Sequence, residues 1–346
     1  MSRGALTRRG LLFAVTAISL YLLAPALIGV FGAFDELDEI SPLWFVAMVA
    51  LQVGSFACMW GILRLAVRTD HWVPVILSQL AANSFGRVVP GGAATVGAVQ
   101  YAMLVRSGVP PAATASGITA SALVVFATLL ALPLLALPAI LTGVAVDPNL
   151  TRAAMAGAIV FVLMVAVGAA CVIWDRPLVV IGRAAQAVIN RVRRHHEPVE
   201  GLPERLLHER DVVVGVMGRK WWEALLLAAG RWVLDYLTLV AALYALGVEP
   251  RPSLVLLAFS AAQLLGNLPF TPGGVGFVEA GLTGFLALAG VGAGAAVVAT
   301  LAYRLVSFWL PIPIGAVAAV IHRRLYGTAE VEPPPTPEAA PGRIPS

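Results

Sequence analysis

The stretch QLLGNLPFTPGGVGFVEAG, residues 263–281, places a Pro-Gly-Gly break and an ionisable residue, Glu279, inside an otherwise apolar segment. In the hydrocarbon of a bilayer an unpaired backbone N–H or C=O costs several kcal/mol, so non-helical backbone survives only where protein buries it or where it lines a cavity. A carboxylate at that depth costs about 2.5 kcal/mol or more, so it faces a bundle interior or a polar path. The stretch therefore predicts two helical arms around a break at 272–274, with Glu279 directed into the protein.

A second stretch, QLAANSFGRVVPGGAATVG at 79–97, repeats this pattern with two extra residues before its Pro-Gly-Gly. The matched positions are Gln79 with Gln263, Asn83 with Asn267, and the Pro-Gly-Gly runs at 90–92 and 272–274. Paired Gly/Pro-interrupted apolar segments at corresponding positions of two halves indicate a transporter-type site near the bilayer midplane. Chance is the competing explanation, since the chain holds 33 Gly and 24 Pro, but the shared Gln-Leu-x-x-Asn lead favours duplication.

The composition is that of a membrane protein. Hydrophobic residues make up 59% of the chain and charged residues 12%, and the mean hydropathy is +0.88. A soluble domain carries about 25% charged residues, so the sequence predicts an all-α, polytopic integral membrane bundle. Cys58 and Cys171 lie in apolar runs, and no histidine stands at metal-ligand spacing from a Cys or carboxylate. We therefore predict no disulfide, metal site or cofactor.

Apolar segments long enough to cross or enter the bilayer follow one another along the whole chain. They are 11–31, 43–67, the broken hairpin 72–105, 112–141, 153–174, 221–246, the broken hairpin 254–289, and 295–321. For the first of them a cleaved signal peptide is the alternative to a retained span. Basic residues favour the cytoplasmic side and the acidic loop 35–39 the outer side, which predicts a multi-pass plasma-membrane protein with both termini in the cytoplasm.

The halves 43–141 and 221–321 align as span, broken hairpin, span, and the charge bias gives them opposite orientations. This is the pattern of an inverted-topology repeat with two re-entrant hairpins. Reading both hairpins as full crossings, ten spans in total, fits the charges equally well. We expect residues 1–326 to form a single transmembrane domain, followed by a disordered, proline-rich tail at 327–346.

Residues 175–220 hold nine of the 23 basic residues and form the predicted cytoplasmic linker between the halves. Apolar residues from Ile181 to Val192 fall on one helical face, which predicts an interfacial helix. Anionic lipid headgroups would bind its basic positions, Arg183, Arg191, Arg193 and Arg194. A basic loop that only sets topology is an equal alternative. A nucleic-acid partner is not expected, because these basic residues lack aromatic stacking partners.

Five charges are predicted within the membrane: Arg87, Arg231, Asp235, Glu279 and Arg304. We expect Asp235 to form a structural ion pair with Arg231 four residues earlier, and the repeat symmetry to bring Arg87 toward Glu279. One arginine is then left over, and a cavity with a surplus guanidinium and Gly-Gly backbone donors suits a phosphate. In the alternative, all five charges form internal pairs that fix helix packing. The predicted substrate-binding residues are Gln79, Asn83, Arg87, Pro90, Gly91, Gly92, Gln263, Asn267, Pro272, Gly273, Gly274, Glu279 and Arg304.

Several of these motifs resemble the transmembrane, flippase-like domain of the lysylphosphatidylglycerol synthase family. The matching features are the two Gln-Leu-x-x-Asn leads, the run Pro-Gly-Gly-x-Gly-x-x-Glu-Ala at 272–280, the earlier 90–92 with Gly97, and Tyr303-Arg304 before 309–311. The resemblance covers roughly 10–325 and implies translocation or binding of phospholipids or lipid-linked substrates between leaflets. Some relatives carry a basic residue directly before the glutamate, where this chain has Val278, so no headgroup contact is carried over to that position.

The leading hypothesis is flippase- or scramblase-like translocation of an anionic phospholipid or lipid-linked substrate, with the two breaks forming the gate. The glycines lack the Gly-x-x-x-x-Gly-Lys spacing of a nucleotide site, so the movement is not driven by ATP through this chain. Full-length synthases of the family also carry a soluble aminoacyl-transferase domain. The linker and tail here leave no room for one, so we expect no lysyl-lipid synthesis.

Two other classes of function remain open. An integral-membrane enzyme needs grouped catalytic side chains, whereas Glu223, Asp235 and Glu279 are scattered, and we predict no catalytic residue. A membrane scaffold or binding subunit would use the basic linker to recruit a separate cytoplasmic synthase that modifies lipids or glycans.

Overall fold

A computed structural model describes residues 41–89, 92–141, 173–192, 200–217, 220–267 and 272–327, with six further positions between 162 and 171. Within these ranges the regular structure is entirely helical, which confirms the all-α prediction. The predicted span 11–31, the loop 35–39, most of the span 153–174 and the tail 328–346 lie outside the described residues.

The helices differ in length, and the four that flank the two breaks have 17 residues or fewer. In chain order they are α1 (Pro42–Val67), α2 (Trp72–Val88), α3 (Gly92–Arg106), α4 (Pro111–Leu141), α5 (Asp175–Val192), α6 (Leu202–Met217), α7 (Trp221–Ala245), α8 (Pro252–Gly266), α9 (Phe277–Leu288), α10 (Ala293–Arg304) and α11 (Pro311–Tyr326). A π-helical turn, Leu305–Trp309, joins α10 to α11.

Four helical segments in the described part of the chain are long and apolar enough to cross a membrane. They are Pro42–Val67, Pro111–Pro133, Trp221–Ala245 and Ala293–Tyr326, the last running from α10 through the π-helical turn to the end of α11. These segments correspond to the predicted spans 43–67, 112–141, 221–246 and 295–321.

Both breaks separate two packed helical arms, α2 with α3 and α8 with α9. The arms have 17, 15, 15 and 12 residues. At 1.5 Å per residue they measure about 26 Å down to about 18 Å, shorter than the roughly 30 Å of a hydrocarbon core. Their lengths suit re-entrant arms, while the re-entrant course itself and the inversion of the two halves stay predictions.

Small residues bring α1 and α7 into close contact. Gly54 faces Leu234 and Gly61 faces Leu227, so that a Cβ on either glycine would stand 3.1 or 3.0 Å from a leucine methyl carbon. Small residues at a helix crossing allow this approach, which van der Waals packing then stabilises in a membrane. The pair α1–α7 thus joins the first spans of the two halves.

Each half also packs the first arm of its hairpin against the last span of the other half. Helix α2 lies on α11, and α8 lies on α4. At the first contact Ser84 Oγ donates to the carbonyl of Ile312 over 2.8 Å, and Gly315 approaches the carbonyl of Leu80 so closely that a Cβ there would collide with it. This reciprocal packing places both hairpins beside the α1–α7 pair, around a shared interior.

The linker is more ordered than predicted, because it contains two helices rather than one. The expected helix is α5, and the second, α6, packs on it where Gly182 meets Pro203. Helix α6 therefore covers part of the surface of α5 that was predicted to lie against lipid. Arg183 on α5 is exposed. Arg193 and Arg194 lie outside the described residues.

Candidate functional site

The two Gln-Leu-x-x-Asn leads adopt the same local geometry. Asn83 Nδ2 donates to the backbone carbonyl of Gln79 over 2.9 Å, and Asn267 Nδ2 donates to that of Gln263 over 2.9 Å. The glutamine side chains have different partners: Gln79 accepts a hydrogen bond from Gln100, whereas Gln263 donates to Asp235 and to Tyr303. The two leads thus share this local hydrogen bond, while their glutamine side chains have different partners.

The second break depends on glycine. Gly273, Gly274 and Gly276 have φ values of 60°, 71° and 85°, a region that L side chains adopt at a cost of about 1–2 kcal/mol each. Gly273 also lies against the ring of Phe308, where a Cβ would collide with the ring carbons. The break ends at α9, whose first turn is capped because Gly276 N–H donates to Glu279 Oε2 over 2.7 Å.

Glu279 forms a nearly buried ion pair with Arg304. Arg304 Nε donates to Glu279 Oε1 over 2.7 Å, and the exposed fractions of the two side chains are 8% for Arg304 and 16% for Glu279. Arg304 Nη2 also donates to the carbonyl of Gly273 over 3.4 Å. The pair fastens the second break to the end of α10.

Arg87 does not meet Glu279, contrary to the prediction. Its Nη1 donates to the carbonyl of Phe308 over 2.5 Å, and its guanidinium lies 5.1 Å from the centre of the Phe308 ring. Arg304 lies over the same ring at 4.1 Å. Phe308 therefore contacts a guanidinium group from each half.

The predicted ion pair between Arg231 and Asp235 is wrong. It is not among the ion pairs that the described residues form, and Asp235 instead accepts hydrogen bonds from Gln263 Nε2 over 3.0 Å and from Tyr303 Oη over 3.1 Å. The guanidinium of Arg231 lies 3.6 Å from the ring centre of Trp232. Its Nε and Nη1 are buried without a hydrogen-bond partner.

These groups surround a cavity of about 420 Å³ between the two hairpins. Of the predicted substrate-binding residues, the cavity is lined by Gln79, Asn83, Arg87, Gln263, Asn267, Gly273 and Arg304. Glu279 reaches the site through Arg304, and Gly274 is buried behind the wall. Pro90 and Gly91 lie outside the described residues, Gly92 begins α3, and Pro272 begins the turn of the second break.

Several polar residues of the wall were not predicted, among them Gln52, Ser55, Gln100 and Tyr303. The candidates were predicted from the repeated motif and from charges within the membrane, and these uncharged side chains lie outside that motif. An amide within an apolar span, such as Gln52 in α1, needs a hydrogen-bond partner in hydrocarbon, and this signal would have identified the two glutamines.

The ion pair of the second half has no counterpart in the first. Counted from each Pro-Gly-Gly, Gly97 stands at the position of Glu279 and Ala122 at that of Arg304. Both line the cavity, and nothing lies within 4 Å of where a Cβ of Gly97 would be. Small residues in the first half thus leave open space opposite the charged wall of the second.

Comparison with known proteins shows the family of the chain. The family model described as the lysylphosphatidylglycerol synthase TM region matches residues 10–315. The chain belongs to this family. It is a multi-pass membrane protein, as the four candidate spans and the family both indicate.

The relatives of this lysylphosphatidylglycerol synthase TM family member include proteins called UPF0104 membrane protein from Methanothermobacter thermautotrophicus. One is 26% identical over 304 residues, which cover 82% of this chain and 87% of that protein. A second is 32% identical over 96 residues, 28% of this chain and 27% of that protein. No solved structure matches the chain.

The chemistry that the site can support follows from its charges. The site holds three arginines, Arg87, Arg231 and Arg304, and two acids, Asp235 and Glu279. These five side chains therefore carry one positive charge in surplus when all are ionised. Two N–H groups of Arg231 have no partner, and a buried donor without a partner costs about 1–3 kcal/mol, more for a charged group. Such a cavity is suited to bind an anion.

Proposed function

We propose that this protein moves an anionic phospholipid or lipid-linked substrate between the leaflets of the plasma membrane, with the phosphate of the headgroup bound in the cavity. The observation that carries the proposal is Arg231, whose Nε and Nη1 are buried in the cavity wall without a partner. A phosphate in the cavity would offer an acceptor to a guanidinium N–H of Arg231, because guanidinium forms strong charge-assisted hydrogen bonds with phosphate.

An anion fits better than a zwitterion. A phosphodiester carries one negative charge and would neutralise the single surplus charge of the five side chains. Phosphatidylcholine brings a quaternary ammonium as well, which would have to lie near Arg87 and Arg304. Like charges in a site of low dielectric repel each other strongly, so choline lipids are expected to move more slowly.

Movement between leaflets, rather than binding alone, is supported by the position of the cavity. It lies between two broken hairpins that come from the two halves of the chain, and broken helices around a central site are the common construction of membrane transporters. Phe308 contacts both Arg87 and Arg304, so it joins the two sides of the site. We propose that this contact opens and closes as the gate.

The exposed residues of the linker helix α5 indicate where this helix lies. Arg183 is exposed on α5, and apolar side chains such as Val180 and Ile181 are exposed on the same helix. A helix with exposed basic and apolar residues suits the headgroup layer of the cytoplasmic leaflet. We propose that Arg183 and Arg191 contact anionic lipids there, with both termini in the cytoplasm. Alternatively this surface recruits a cytoplasmic enzyme, and co-purification that depends on both arginines would favour that function.

The translocation proposal is tested in proteoliposomes with fluorescent phosphatidylglycerol or phosphatidylcholine, whose outer-leaflet fraction is quenched by dithionite. Wild-type protein is expected to render the inner-leaflet phosphatidylglycerol accessible faster than phosphatidylcholine. Arg231→Gln is expected to lower the phosphatidylglycerol rate at least tenfold. Arg324→Gln removes an exposed arginine from the last turn of α11 and is the matched control, with unchanged rates expected. Equal rates for Arg231→Gln and wild type would reject the site.

A further inference from the structure

Asp235 is a buried carboxyl group whose direct partners are neutral. The residue is 4% exposed, and its two oxygens accept hydrogen bonds from the Gln263 amide and the Tyr303 hydroxyl. Arg231 lies one turn earlier on the same helix but forms no ion pair with it among those of the described residues. Glu279, by contrast, has a guanidinium in contact at 2.7 Å. The two carboxyl groups of the site are thus in different electrostatic settings.

We propose that Asp235 binds a proton together with the anionic headgroup, so that lipid movement is coupled to proton movement. The inference rests on the proposed function, because it assigns a second ligand to the same cavity. Asp235 lines that cavity with Arg87, Arg231 and Arg304. A proton on Asp235 removes a negative charge from the neighbourhood in which the phosphate binds.

Hydrogen bonding permits both protonation states of Asp235. The ionised carboxylate accepts from Gln263 Nε2 and from Tyr303 Oη, as described above. The protonated form has an O–H to donate, and the Tyr303 oxygen is in reach at 3.1 Å as an acceptor once its own hydroxyl hydrogen turns away. A hydroxyl donates or accepts according to its rotation. Neither state therefore leaves a buried oxygen unpaired.

The surroundings favour Asp235 as the proton site. The titratable and charged groups that face the site are Arg231 on α7, Arg87 on α2, Tyr303 and Arg304 on α10, and Glu279 on α9 through Arg304. Cys58 on α1 lies against Gly230, the residue before Arg231. Helix α8 contributes the neutral Gln263, and the wall residues of α4 carry no titratable group. Of the two carboxyl groups, Asp235 is the one without a cation in contact. An incoming anion therefore destabilises the ionised form of Asp235 more than that of Glu279.

The sign of the coupling follows from the charges. With Asp235 ionised the five side chains sum to one positive charge, and with it protonated they sum to two. The anion therefore binds more tightly to the protonated form, and by linkage the bound anion favours protonation. Affinity for the anion falls as pH rises, by up to about tenfold per pH unit where one proton is taken up per headgroup. A proton gradient would then move lipid in the direction of proton flow.

Calorimetric titration of the full-length protein in detergent measures this proton directly. Dihexanoyl phosphatidylglycerol is titrated in two buffers of different ionisation enthalpy, because the difference in apparent binding enthalpy gives the number of protons taken up. About one proton per bound lipid is expected for wild type. Asp235→Asn is expected to bind without proton uptake and with an affinity that no longer falls with pH. Asp70→Asn, an exposed acid paired with Arg64, is the matched control and should behave as wild type.

Each outcome separates the coupling from the proposed function. Binding of the lipid to wild type without proton uptake overturns the coupling and leaves the anion site intact, as does unchanged uptake in Asp235→Asn. Failure of wild type to bind phosphatidylglycerol at any pH rejects the proposed function itself. Inorganic sulfate, which keeps its own charge throughout the neutral pH range, and dihexanoyl phosphatidylcholine are titrated in parallel. Uptake with sulfate alone would assign the site to a free anion, and equal uptake with the choline lipid would reject the charge argument.

Discussion

Arg304 donates from Nε to Oε1 of Glu279 over 2.7 Å, and this bond fastens the Pro-Gly-Gly break of the second hairpin to the end of α10. The pair is buried well enough that loss of one partner leaves an uncompensated charge, which costs about 3–5 kcal/mol. Glu279→Gln is therefore expected to lower the melting temperature of the purified protein markedly.

A double-mutant cycle separates this pairing from other effects of the substitution. Glu279→Gln combined with Arg304→Gln removes both charges and is expected to be less destabilised than the sum of the two single variants. Additive effects, within about 0.5 kcal/mol, would contradict an energetic coupling between the two side chains.

Gly273 is expected to tolerate no side chain. Its φ of 60° and its contact with the Phe308 ring both oppose a Cβ, so Gly273→Ala should destabilise the protein by more than the roughly 1–2 kcal/mol of the backbone term alone. Gly284→Ala is the control, because Gly284 lies within α9 with nothing within 4 Å of a Cβ. It should be neutral or stabilising by about 0.5–1 kcal/mol. Equal thermal stability of the two variants would refute the role given to the break.

Gly97 offers a way to block the cavity without unfolding the protein. A leucine there would extend into open space in the cavity that Gln79 and Gln100 also line, and would occupy room that the headgroup needs. Gly97→Leu should retain its melting temperature while transport of fluorescent phosphatidylglycerol falls at least tenfold. Gly284→Leu serves as the control with unchanged transport. Full transport by Gly97→Leu would mean that the lipid does not pass this wall.

The ion pair of the linker is expected to contribute little. Arg210 Nη1 donates to Asp175 Oδ1 over 2.6 Å, and the Asp175 side chain is 69% exposed. Hydrogen bonds to Asp175 and then Asp211 raise the pKa of Arg210, which is charged at neutral pH in any case. Asp175→Asn should leave the melting temperature nearly unchanged, in contrast to Glu279→Gln, because solvent screens exposed pairs. A large loss of stability would show that α5 and α6 depend on this contact.

How much of the site the sequence could predict depends on the kind of interaction. Asn83 and Asn267 bond to carbonyls four residues away on their own helices, so their shared spacing carries the local geometry. Arg87 bonds to the carbonyl of Phe308, more than two hundred residues away. The repeat symmetry suggested Glu279 instead, because a distant backbone carbonyl is a partner that the comparison of the two halves does not reveal.

Two other differences have local causes. Spacing of four residues permits an ion pair between Arg231 and Asp235, but Gln263 and Tyr303 come from α8 and α10 and take the Asp235 oxygens. Helix α6 escaped prediction because its sequence, LPERLLHERDVVVGVM, has little apolar periodicity and many charges. Its packing on α5 at Gly182 is a tertiary contact, and such contacts override local pattern.

Protection of a cavity thiol tests most directly whether anionic headgroups bind beside Arg231. Ser121 lines the cavity on α4, so Ser121→Cys in a background with Cys58→Ala and Cys171→Ala gives a nearly isosteric reporter for a small thiosulfonate reagent. Dihexanoyl phosphatidylglycerol is expected to slow labelling about tenfold, and the choline lipid much less. Glu249→Cys, exposed in the loop before α8, should be labelled without protection. Addition of Arg231→Gln should abolish the protection, whereas equal protection by both lipids, or protection that persists without Arg231, would contradict the anion site.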